Sequence, residues 1–280
     1  MNGKAELGVL DPFRTAASWN AATAASWAAA LDQRAAGGDQ VRLRARLSQL
    51  AALRAGDHAV ELGCGTGTLL AELARTVGSG GRVLGVEPQP VFADLARQRA
   101  TAVPNGGRVT VHSGSSEEIP VADSTVDACV AQTVLIHLPA PQLCRTLAEA
   151  RRILRSGGRF VTADQDGDTW VVDHPDRETT RRIVAFNSDQ RYADGWTGRR
   201  TARLLAEAGY HDVAVQVFTH LDVVAGSYLF GMSVRLAQVA AEAGAIESGR
   251  ATEWIAALEQ RAQAGSFLSS IDYFLCVGTR

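Results

Sequence analysis

The sequence is poor in the features that mark disulfide-rich, metal-binding or membrane-spanning proteins. It has four cysteines in 280 residues and no C-x-x-C pair, so neither a disulfide framework nor a zinc site is expected. No uninterrupted apolar run approaches the roughly 20 residues that cross a bilayer, and the first residues lack the apolar core of a signal peptide. The sequence therefore predicts a soluble cytoplasmic protein, with buried free thiols at Cys64, Cys129, Cys144 and Cys276.

An excess of charge of either sign is also missing. The formal net charge is -2 at pH 7 and the pI is about 6.3, which gives no electrostatic footprint for nucleic acid or for an anionic membrane. We therefore expect a small-molecule partner, no nucleic acid and no membrane span, and we leave a homodimer open. With 46% hydrophobic residues, the chain can bury one large core.

What the sequence does contain is a strand, a glycine-rich turn and a helix in direct succession. The apolar run 57–62 predicts a buried strand, and residues 69–75 have the spacing of an amphipathic helix. Gly63, Gly65 and Gly67 stand between them at alternate positions. Such a turn lets a ligand approach main-chain N–H groups at a helix N-terminus, where a Cβ atom would block it.

A second apolar run, residues 82–87, ends in Glu87. A carboxylate at the end of the second strand usually accepts hydrogen bonds from a ribose diol, so the sequence predicts a nucleoside cofactor. The G-x-G-x-x-G fingerprint of dinucleotide sites is absent, because its last glycine would fall on Thr68 or Leu70. Glu61 would also repel a pyrophosphate, whereas a cationic or zwitterionic ligand could use it.

The run E-L-G-C-G-T-G at residues 61–67 resembles the first motif of the class I S-adenosylmethionine-dependent methyltransferases. Residues 119–128 and 150–161 are similar to segments around the fourth and fifth strands of the ubiquinone/menaquinone-biosynthesis type of small-molecule methyltransferase. The resemblance covers about residues 40–165. It implies an α/β fold with a doubly wound, Rossmann-like sheet of seven strands, mostly parallel with an antiparallel last strand.

Helices and near-continuous apolar strands alternate along the chain, which is typical of a parallel sheet covered on both faces. We predict an N-terminal helical lid over residues 1–38 and a methyltransferase domain over residues 39–280. Substrate-lid helices are expected at about 170–210 and 226–265. The first helix is predicted over about 15–31, with the indoles of Trp19 and Trp27 on one face.

The resemblance also assigns the cofactor site residue by residue. Glu61 and the glycine backbones would hold the methionine part of S-adenosylmethionine, and Glu87 would hold the ribose hydroxyls. After the third strand, where an acid commonly accepts from the adenine amino group, the sequence has Ser115, with Glu117 as the alternative acceptor. The cofactor-binding candidates are Glu61, Gly63, Gly65, Gly67, Glu87, Pro88, Ser115, Ser116, Gln132 and Thr133.

Candidate catalytic groups follow the fourth and fifth strands. His137 is the first candidate base, since histidine has a pKa near neutrality, and a purely structural histidine is the alternative. Asp164, Gln165 and Asp166 would orient a substrate amine or hydroxyl, unless they belong to a solvated loop. His220 is a weaker candidate base. No metal is predicted, because the acidic run after residue 164 fails the calcium-loop pattern.

Five tryptophans favour an aromatic-lined pocket for a planar or polycyclic acceptor. Substrate-contact candidates are Trp19, Gln165, Trp196 and Met232. The sequence thus predicts a methyltransferase that acts on carbon, nitrogen or oxygen of a small molecule and releases S-adenosylhomocysteine. Two alternatives stay open: a nicotinamide-dependent oxidoreductase, and a non-catalytic methyltransferase-like module that binds the cofactor without turnover.

Overall fold

Helices and strands alternate through the computed structural model, which describes residues 11–104 and 106–280. The strands are β1 (His58–Leu62), β2 (Arg82–Glu87), β3 (Arg108–Ser113), β4 (Val126–Gln132), β5 (Leu154–Gln165), β6 (Val171–Val172), β7 (His211–Asp222) and β8 (Ser269–Thr279). The helices are α1 (Ala21–Ala36), α2 (Gly38–Ala51), α3 (Thr68–Val77), α4 (Pro90–Thr101), α5 (Ala140–Ile153), α6 (Arg177–Phe186), α7 (Thr197–Glu207), α8 (Tyr228–Glu242) and α9 (Ser248–Gln263).

The strands form one sheet in the order β3-β2-β1-β4-β5-β8, with β7 pairing along the outer side of β8. Strands β1 to β5 are parallel, and β8 runs antiparallel to both β5 and β7. This confirms the predicted doubly wound, Rossmann-like α/β fold with an antiparallel last strand. The strand count differs by one, because the two-residue β6 also pairs with β8 and makes the sheet eight-stranded.

Successive side chains of a strand point to opposite faces of the sheet, so the apolar side chains of each strand pack into two separate hydrophobic cores. Ala59 of β1 packs in the cluster that includes Leu43 of α2 and Leu73 of α3. Its neighbour Val60 packs in the cluster that includes Leu147 of α5. The sheet is therefore covered on both faces, and its strand ends are the remaining open edge.

The N-terminal region differs from the single helix predicted over residues 15–31. A 3-10 helix spans Pro12–Ser18, the backbone is extended at Trp19, and Asn20 caps α1 by accepting from the N–H of Thr23 at 2.8 Å. An asparagine at this position favours a helix start over a helix interior. The two indoles still meet: Trp19 stacks on Trp27 with ring centroids 5.7 Å apart.

Three of the four cysteines, Cys64, Cys129 and Cys276, are buried free thiols as predicted. The prediction for Cys144 is wrong, because this residue lies on the outer face of α5 and is exposed. Among the described residues, no helix combines the length and apolar character needed to cross a membrane.

Candidate active site

A cavity of about 630 Å³ opens at the carboxyl ends of β1, β2, β4 and β5. This is the edge at which open α/β sheets place their ligands. Its wall combines the glycine loop, the strand ends, the 3-10 turn after β4, and one face each of α1 and α8. The lining residues used below are Phe13, Trp27, Arg34, Arg44, Glu61, Gly63, Gly65, Glu87, Pro88, Ser115, Ser116, Gln132, Thr133, His137, Gln165, Arg191, Tyr192, Tyr228, Met232 and Arg235.

The three loop glycines all have left-handed backbone conformations, but they have different neighbours. At Gly65 (φ +52°) a Cβ atom would reach only Leu31, at 3.7 Å, so the space in front of the loop is open to a ligand. At Gly63 it would strike Val134 at 2.7 Å. Gly67 does not line the cavity: there a Cβ atom would lie 2.7 Å from the Cα of Ala96 on α4. Gly67 therefore serves the packing of α3 against α4.

Glu87 connects the glycine loop to the end of β2. Its carboxylate accepts from the N–H of Gly65 at 2.9 Å and from the N–H of Gln89 at 2.9 Å. Burial raises the pKa of Glu87 to about 7, although these two N–H groups act in the opposite direction. Each carboxylate oxygen keeps a second lone pair, so Glu87 can still accept from a ligand.

Glu61 is the anomalous acid of the site. It is 4% exposed, and its Oε2 atom has no hydrogen-bond partner among the described residues. Burial, and then the charges of Glu72 and Glu87, raise its pKa well above the usual range, while Arg44 opposes them. A buried carboxyl oxygen without a partner is costly unless a ligand pairs with it. The wall at Glu61 thus fits a cationic group such as an ammonium.

The far end of the predicted nucleoside site contains Ser115 and Ser116, and both line the cavity. The Ser116 hydroxyl is bonded to that of Thr146 at 2.8 Å, which leaves its main chain for a ligand. Of the two predicted adenine acceptors, Ser115 lies at the cavity. Glu117 does not line it and instead pairs with Arg145.

Thr133, at the end of β4, has a strained backbone. Its φ of +55° is rare for a β-branched residue, and its N–H donates to the Ala163 carbonyl at 2.7 Å. Its hydroxyl accepts from Arg34 at 2.6 Å. A strained backbone conformation of this kind persists only where the surrounding structure fixes it, and such residues are frequent at ligand-binding sites. The preceding Gln132 donates to Gln40 at 3.1 Å, so both predicted strand-end residues are held in place.

His137 lies in a 3-10 turn, Leu135–His137, and lines the cavity. Its Nδ1 atom is 2.8 Å from a carboxylate oxygen of Asp11, which is fully buried. The imidazole also packs between Phe13, at 5.0 Å between ring centroids, and Tyr192, at 5.5 Å. The predicted base is therefore oriented by a carboxylate that sequence reasoning did not identify.

The two aspartates predicted as catalytic do not line the cavity. Asp164 is fully buried and accepts from the N–H of Ile136 at 3.2 Å and the hydroxyl of Thr162 at 2.8 Å. Burial raises the pKa of Asp164 despite these bonds. Asp166 pairs with Arg199 and caps a 3-10 turn. The geometry gives both aspartates structural partners and corrects the expectation that they face a substrate.

The predicted substrate contacts separate into two groups. Gln165 and Met232 line the cavity, and Gln165 donates to the hydroxyl of Tyr273 at 2.7 Å. Trp19 and Trp196 do not: Trp19 packs among aromatic rings behind Trp27, and Trp196 lies on the surface beneath two arginines. The weaker candidate base, His220, is also outside the cavity, since it is buried between Gln40 and Asp222.

Two cavity residues, Arg34 and Arg235, were not predicted from the sequence, although each shares a helix face with an aromatic residue of the cavity. Trp27 and Arg34 lie seven residues apart on α1, and Tyr228 and Arg235 have the same spacing on α8. A separation of seven residues places side chains on one helix face. In each helix, an aromatic residue and an arginine therefore reach the cavity together.

A left-handed glycine loop, an acid at the end of the second strand and an unpartnered acid facing the cavity define the class. It is a Rossmann-like α/β protein with a nucleoside-type site at the carboxyl edge of its sheet. The family described as "Methyltransferase domain" matches residues 59–158 of the chain. Residues 59–158 thus match a methyltransferase domain, which agrees with the resemblance to class I S-adenosylmethionine-dependent methyltransferases found in the sequence.

Two relatives show how far the sequence similarity extends along the chain. The chain is 33% identical over 226 residues to an uncharacterised 37.1 kDa protein of transposon Tn4556 from Streptomyces fradiae, with 80% of this chain and 63% of that protein covered. It is 32% identical over 108 residues to a demethylmenaquinone methyltransferase from Symbiobacterium thermophilum, covering 39% and 42%. It thus spans less than two thirds of the length of these two relatives.

The fold is also found among solved structures. A provisionally assigned methyltransferase from Bacillus halodurans superposes with a TM-score of 0.58 at 16% sequence identity, covering 84% of this chain and 97% of that one. At this identity the likeness concerns the fold. It supports the Rossmann-like fold alone.

Proposed function

We propose that this protein transfers a methyl group from S-adenosylmethionine to a small molecule whose body is aromatic or otherwise apolar. The observation that carries the proposal is the unpartnered Oε2 atom of Glu61, buried beside the open glycine loop. A dinucleotide would place a pyrophosphate near this acid, whereas S-adenosylmethionine carries an ammonium that can pair with it. The nicotinamide alternative is therefore disfavoured on the same ground.

The cofactor is assigned to the wall between Glu61 and Ser115. Glu61 pairs with the ammonium, and the cavity in front of Gly65 takes the methionine arm. Glu87 accepts from the ribose hydroxyls through the lone pairs that Gly65 and Gln89 leave free. Pro88 flanks the adenine, and Ser115 accepts from its amino group. When bound, the cofactor supplies a methyl group that is already activated by the sulfonium.

The acceptor is assigned to an aromatic wall that lines the same cavity. Trp27 and Phe13 have ring centroids 5.1 Å apart, Phe13 and His137 5.0 Å, and His137 and Tyr192 5.5 Å. These contacting rings bury apolar surface and present their faces and edges to one volume. The aromatic wall supports a planar or polycyclic acceptor.

His137 is proposed as the base that removes a proton from the acceptor. In the tautomer that donates from Nδ1 to Asp11, Nε2 carries a free lone pair. Asp11 then acts as a positioning residue, because it fixes the ring orientation and stabilises the protonated imidazole. The rest of the site aligns the reactants and excludes water, which is the main catalytic need for methyl transfer.

Calorimetric titration with S-adenosylmethionine, S-adenosylhomocysteine, NAD and NADP tests the cofactor assignment. We expect micromolar binding of the two sulfur nucleosides only, and at least tenfold weaker binding in Glu87→Ala. Glu253→Ala, at an exposed position of α9, is the matched control and should bind like the wild type. Tight binding of NAD or NADP without a sulfur-nucleoside signal would overturn the proposal.

Turnover separates an enzyme from a non-catalytic binding module. Labelled S-adenosylmethionine is incubated with a panel of phenols, aromatic amines and aromatic carbon nucleophiles, and label transfer is measured. Transfer that is lost in His137→Ala, with cofactor binding kept, identifies an enzyme and the kind of atom methylated. The cytoplasmic location, the choice of homodimer or monomer, and the lid boundaries stay predictions.

A further inference from the structure

Three buried or half-buried arginines line the cavity without an acidic partner among the described residues. Arg34, Arg191 and Arg235 make no ion pair within residues 11–104 and 106–280, and each has a buried Nε atom with no hydrogen-bond partner there. By contrast, Arg44 in the same cavity is paired with Glu72 at 2.8 Å. A buried guanidinium with free N–H groups loses solvation that an anionic ligand would restore.

Arg191 is the most deeply buried of the three. It is 6% exposed, and both Nε and Nη1 lack partners in the described part of the chain. Its guanidinium carbon lies 5.2 Å from the centroid of the Tyr192 ring, which itself faces the cavity. A planar cation stacked on a ring keeps its N–H edge free to bind a carboxylate or phosphate.

A rigid backbone fixes the position of Arg191. It ends a π-helix, Asn187–Arg191, and such segments are frequent at functional sites. Ser188 of this helix is clamped between two glycines: a Cβ atom would lie 2.8 Å from the Ser188 Cα at Gly167, and 2.1 Å from the Ser188 carbonyl oxygen at Gly195. The N–H of Gly167 also donates to the Gly195 carbonyl at 2.8 Å. The clamp holds the unpartnered guanidinium in place.

The other two arginines sit over aromatic rings of the same cavity. Arg34 donates to the hydroxyls of Thr133 and Tyr273 and lies 5.4 Å from the Tyr228 centroid. Arg235 lies 5.4 Å from the Trp27 centroid. Trp27 and Tyr192 belong to the chain of contacting rings that forms the aromatic wall, so Arg235 and Arg191 mark its two ends.

The charges of the cavity do not balance without a further anion. Its two lining carboxyls, Glu61 and Glu87, belong to the cofactor wall, Arg44 is already neutralised by Glu72, and Arg14 is exposed to solvent. S-adenosylmethionine brings one carboxylate, together with an ammonium and a sulfonium, so it adds positive charge overall. Its carboxylate can pair with one of the three remaining guanidiniums, which leaves two for a further anion.

We propose that the methyl acceptor is an anion, with a carboxylate or phosphate group that Arg191 or Arg235 binds at one end of the aromatic wall while its apolar body lies along that wall. Arg34, which is bonded to the strand end at Thr133, is placed to take the cofactor's carboxylate. The acceptor's identity rests on the proposed methyl transfer, but the anion site itself does not.

The test uses the whole protein saturated with S-adenosylhomocysteine and three probes of similar shape: benzoate, phenyl phosphate and benzamide. Calorimetry should show binding of at least one anionic probe at least tenfold tighter than benzamide. The tighter of benzoate and phenyl phosphate identifies the anionic group. One of the two variants Arg191→Gln and Arg235→Gln, the one at the end that holds the anionic group, should weaken the anionic probe about tenfold and leave benzamide unchanged. Arg75→Gln, on the exposed face of α3, is the matched control.

Equal binding of benzamide and both anions, or anion affinities unchanged in both arginine variants, would overturn the proposal. If Arg191→Gln does not fold, Arg191→Met, which also removes the charge, tests the same position. The experiment also tests the methyl-transfer proposal and the anion-site proposal separately. If S-adenosylhomocysteine does not bind, the methyl-transfer proposal fails, while anionic probes titrated without it still report on the arginine site.

Discussion

The N–H of Gly65 donates to the carboxylate of Glu87 at 2.9 Å, and this bond links the glycine loop after β1 to the end of β2. The two residues are 22 positions apart in the chain, yet they form one wall of the cavity. The acid therefore has two tasks: it fixes the loop in its open shape, and it offers its remaining lone pairs to a ligand. This double use makes the site sensitive to pH.

Cofactor binding should release protons near neutral pH. Glu87 has a pKa of about 7 in the free protein because it is buried. Hydroxyl groups that donate to its carboxylate favour the charged form, so binding below about pH 7 requires Glu87 to lose its proton. Affinity for S-adenosylhomocysteine should rise as the pH increases to about 7 and then level off. Calorimetry at pH 6.5 in two buffers of different ionisation enthalpy measures the release.

Glu61 should contribute to the same release, because its pKa is also raised by burial and an ammonium beside it favours the charged form. Glu87→Gln and Glu61→Gln should therefore each reduce the number of protons released. Proton uptake by the wild type, or release that is unchanged in both variants, would contradict the assignment of these acids to the cofactor.

The loop glycines should respond differently to alanine. Gly65→Ala places its Cβ in open space and costs about 1–2 kcal/mol of folding free energy, through its left-handed backbone. Its main effect should be weaker cofactor binding. Gly67→Ala must also move α4, since its Cβ meets the Cα of Ala96, and should cost about 1–3 kcal/mol more. Denaturant unfolding and cofactor titration of both variants check this contrast. Equal losses of stability would contradict it.

Asp164 should prove structural. Asp164→Ala leaves the N–H of Ile136 and the hydroxyl of Thr162 without partners in a fully buried position, and should lower the free energy of unfolding by about 2–4 kcal/mol. Asp164→Asn retains an acceptor oxygen and should keep substantial activity. If the Asp164→Asn protein is stable and binds the cofactor but does not transfer a methyl group, Asp164 is a catalytic residue and this prediction is wrong.

Removing the charge of Arg191 should stabilise the protein in the absence of ligand. Its guanidinium is buried without an ion pair in the described ranges, so Arg191→Met exchanges an uncompensated cation for an apolar chain of similar length. The free energy of unfolding should rise by about 1 kcal/mol or more. Thermal unfolding measures it, with Arg75→Met as the exposed control. A large destabilisation would instead indicate that Arg191 holds the fold together.

His137 and Asp11 should affect turnover as a pair. His137→Ala should lower kcat about 100-fold or more, because the proposed base is lost. Asp11→Asn keeps a hydrogen-bonding neighbour but removes the carboxylate that orients the imidazole, so it should lower kcat by a smaller factor and leave the KM for the acceptor nearly unchanged. Steady-state kinetics of the two single variants and of the double variant measure this coupling. Equal effects of Asp11→Asn in the presence and in the absence of His137 would show that the carboxylate does not act through the histidine.

The sequence identified those elements whose signal is local. Strand β2 has the bounds of the apolar run 82–87, and helix α3 contains the predicted residues 69–75, because apolar periodicity and a glycine turn determine where these elements begin and end. The acids Glu61 and Glu87 stand at fixed positions relative to that turn, so their placement in the cavity follows from local sequence. The break at Trp19 was missed because the alanine-rich run around it favours helix everywhere except at the capping Asn20.

What the sequence could not show is which side chains meet across the fold. Asp164 and Gln165 are neighbours in β5, and alternation sends one into the interior beside Thr162 and the other into the cavity. Asp11 and His137 are 126 residues apart and meet only through tertiary packing. Likewise, Arg191 makes no ion pair with any described residue, and this depends on which side chains pack around it in the fold. No local sequence pattern reports that packing.

A crystal structure of the complex with S-adenosylhomocysteine tests the central claim most directly. The account predicts the ligand's amino group within hydrogen-bond distance of the Glu61 Oε2 atom, its ribose hydroxyls on Glu87, and its sulfur facing the aromatic wall near His137. A ligand bound outside this cavity, or bound within it with the ribose away from Glu87, would contradict the account.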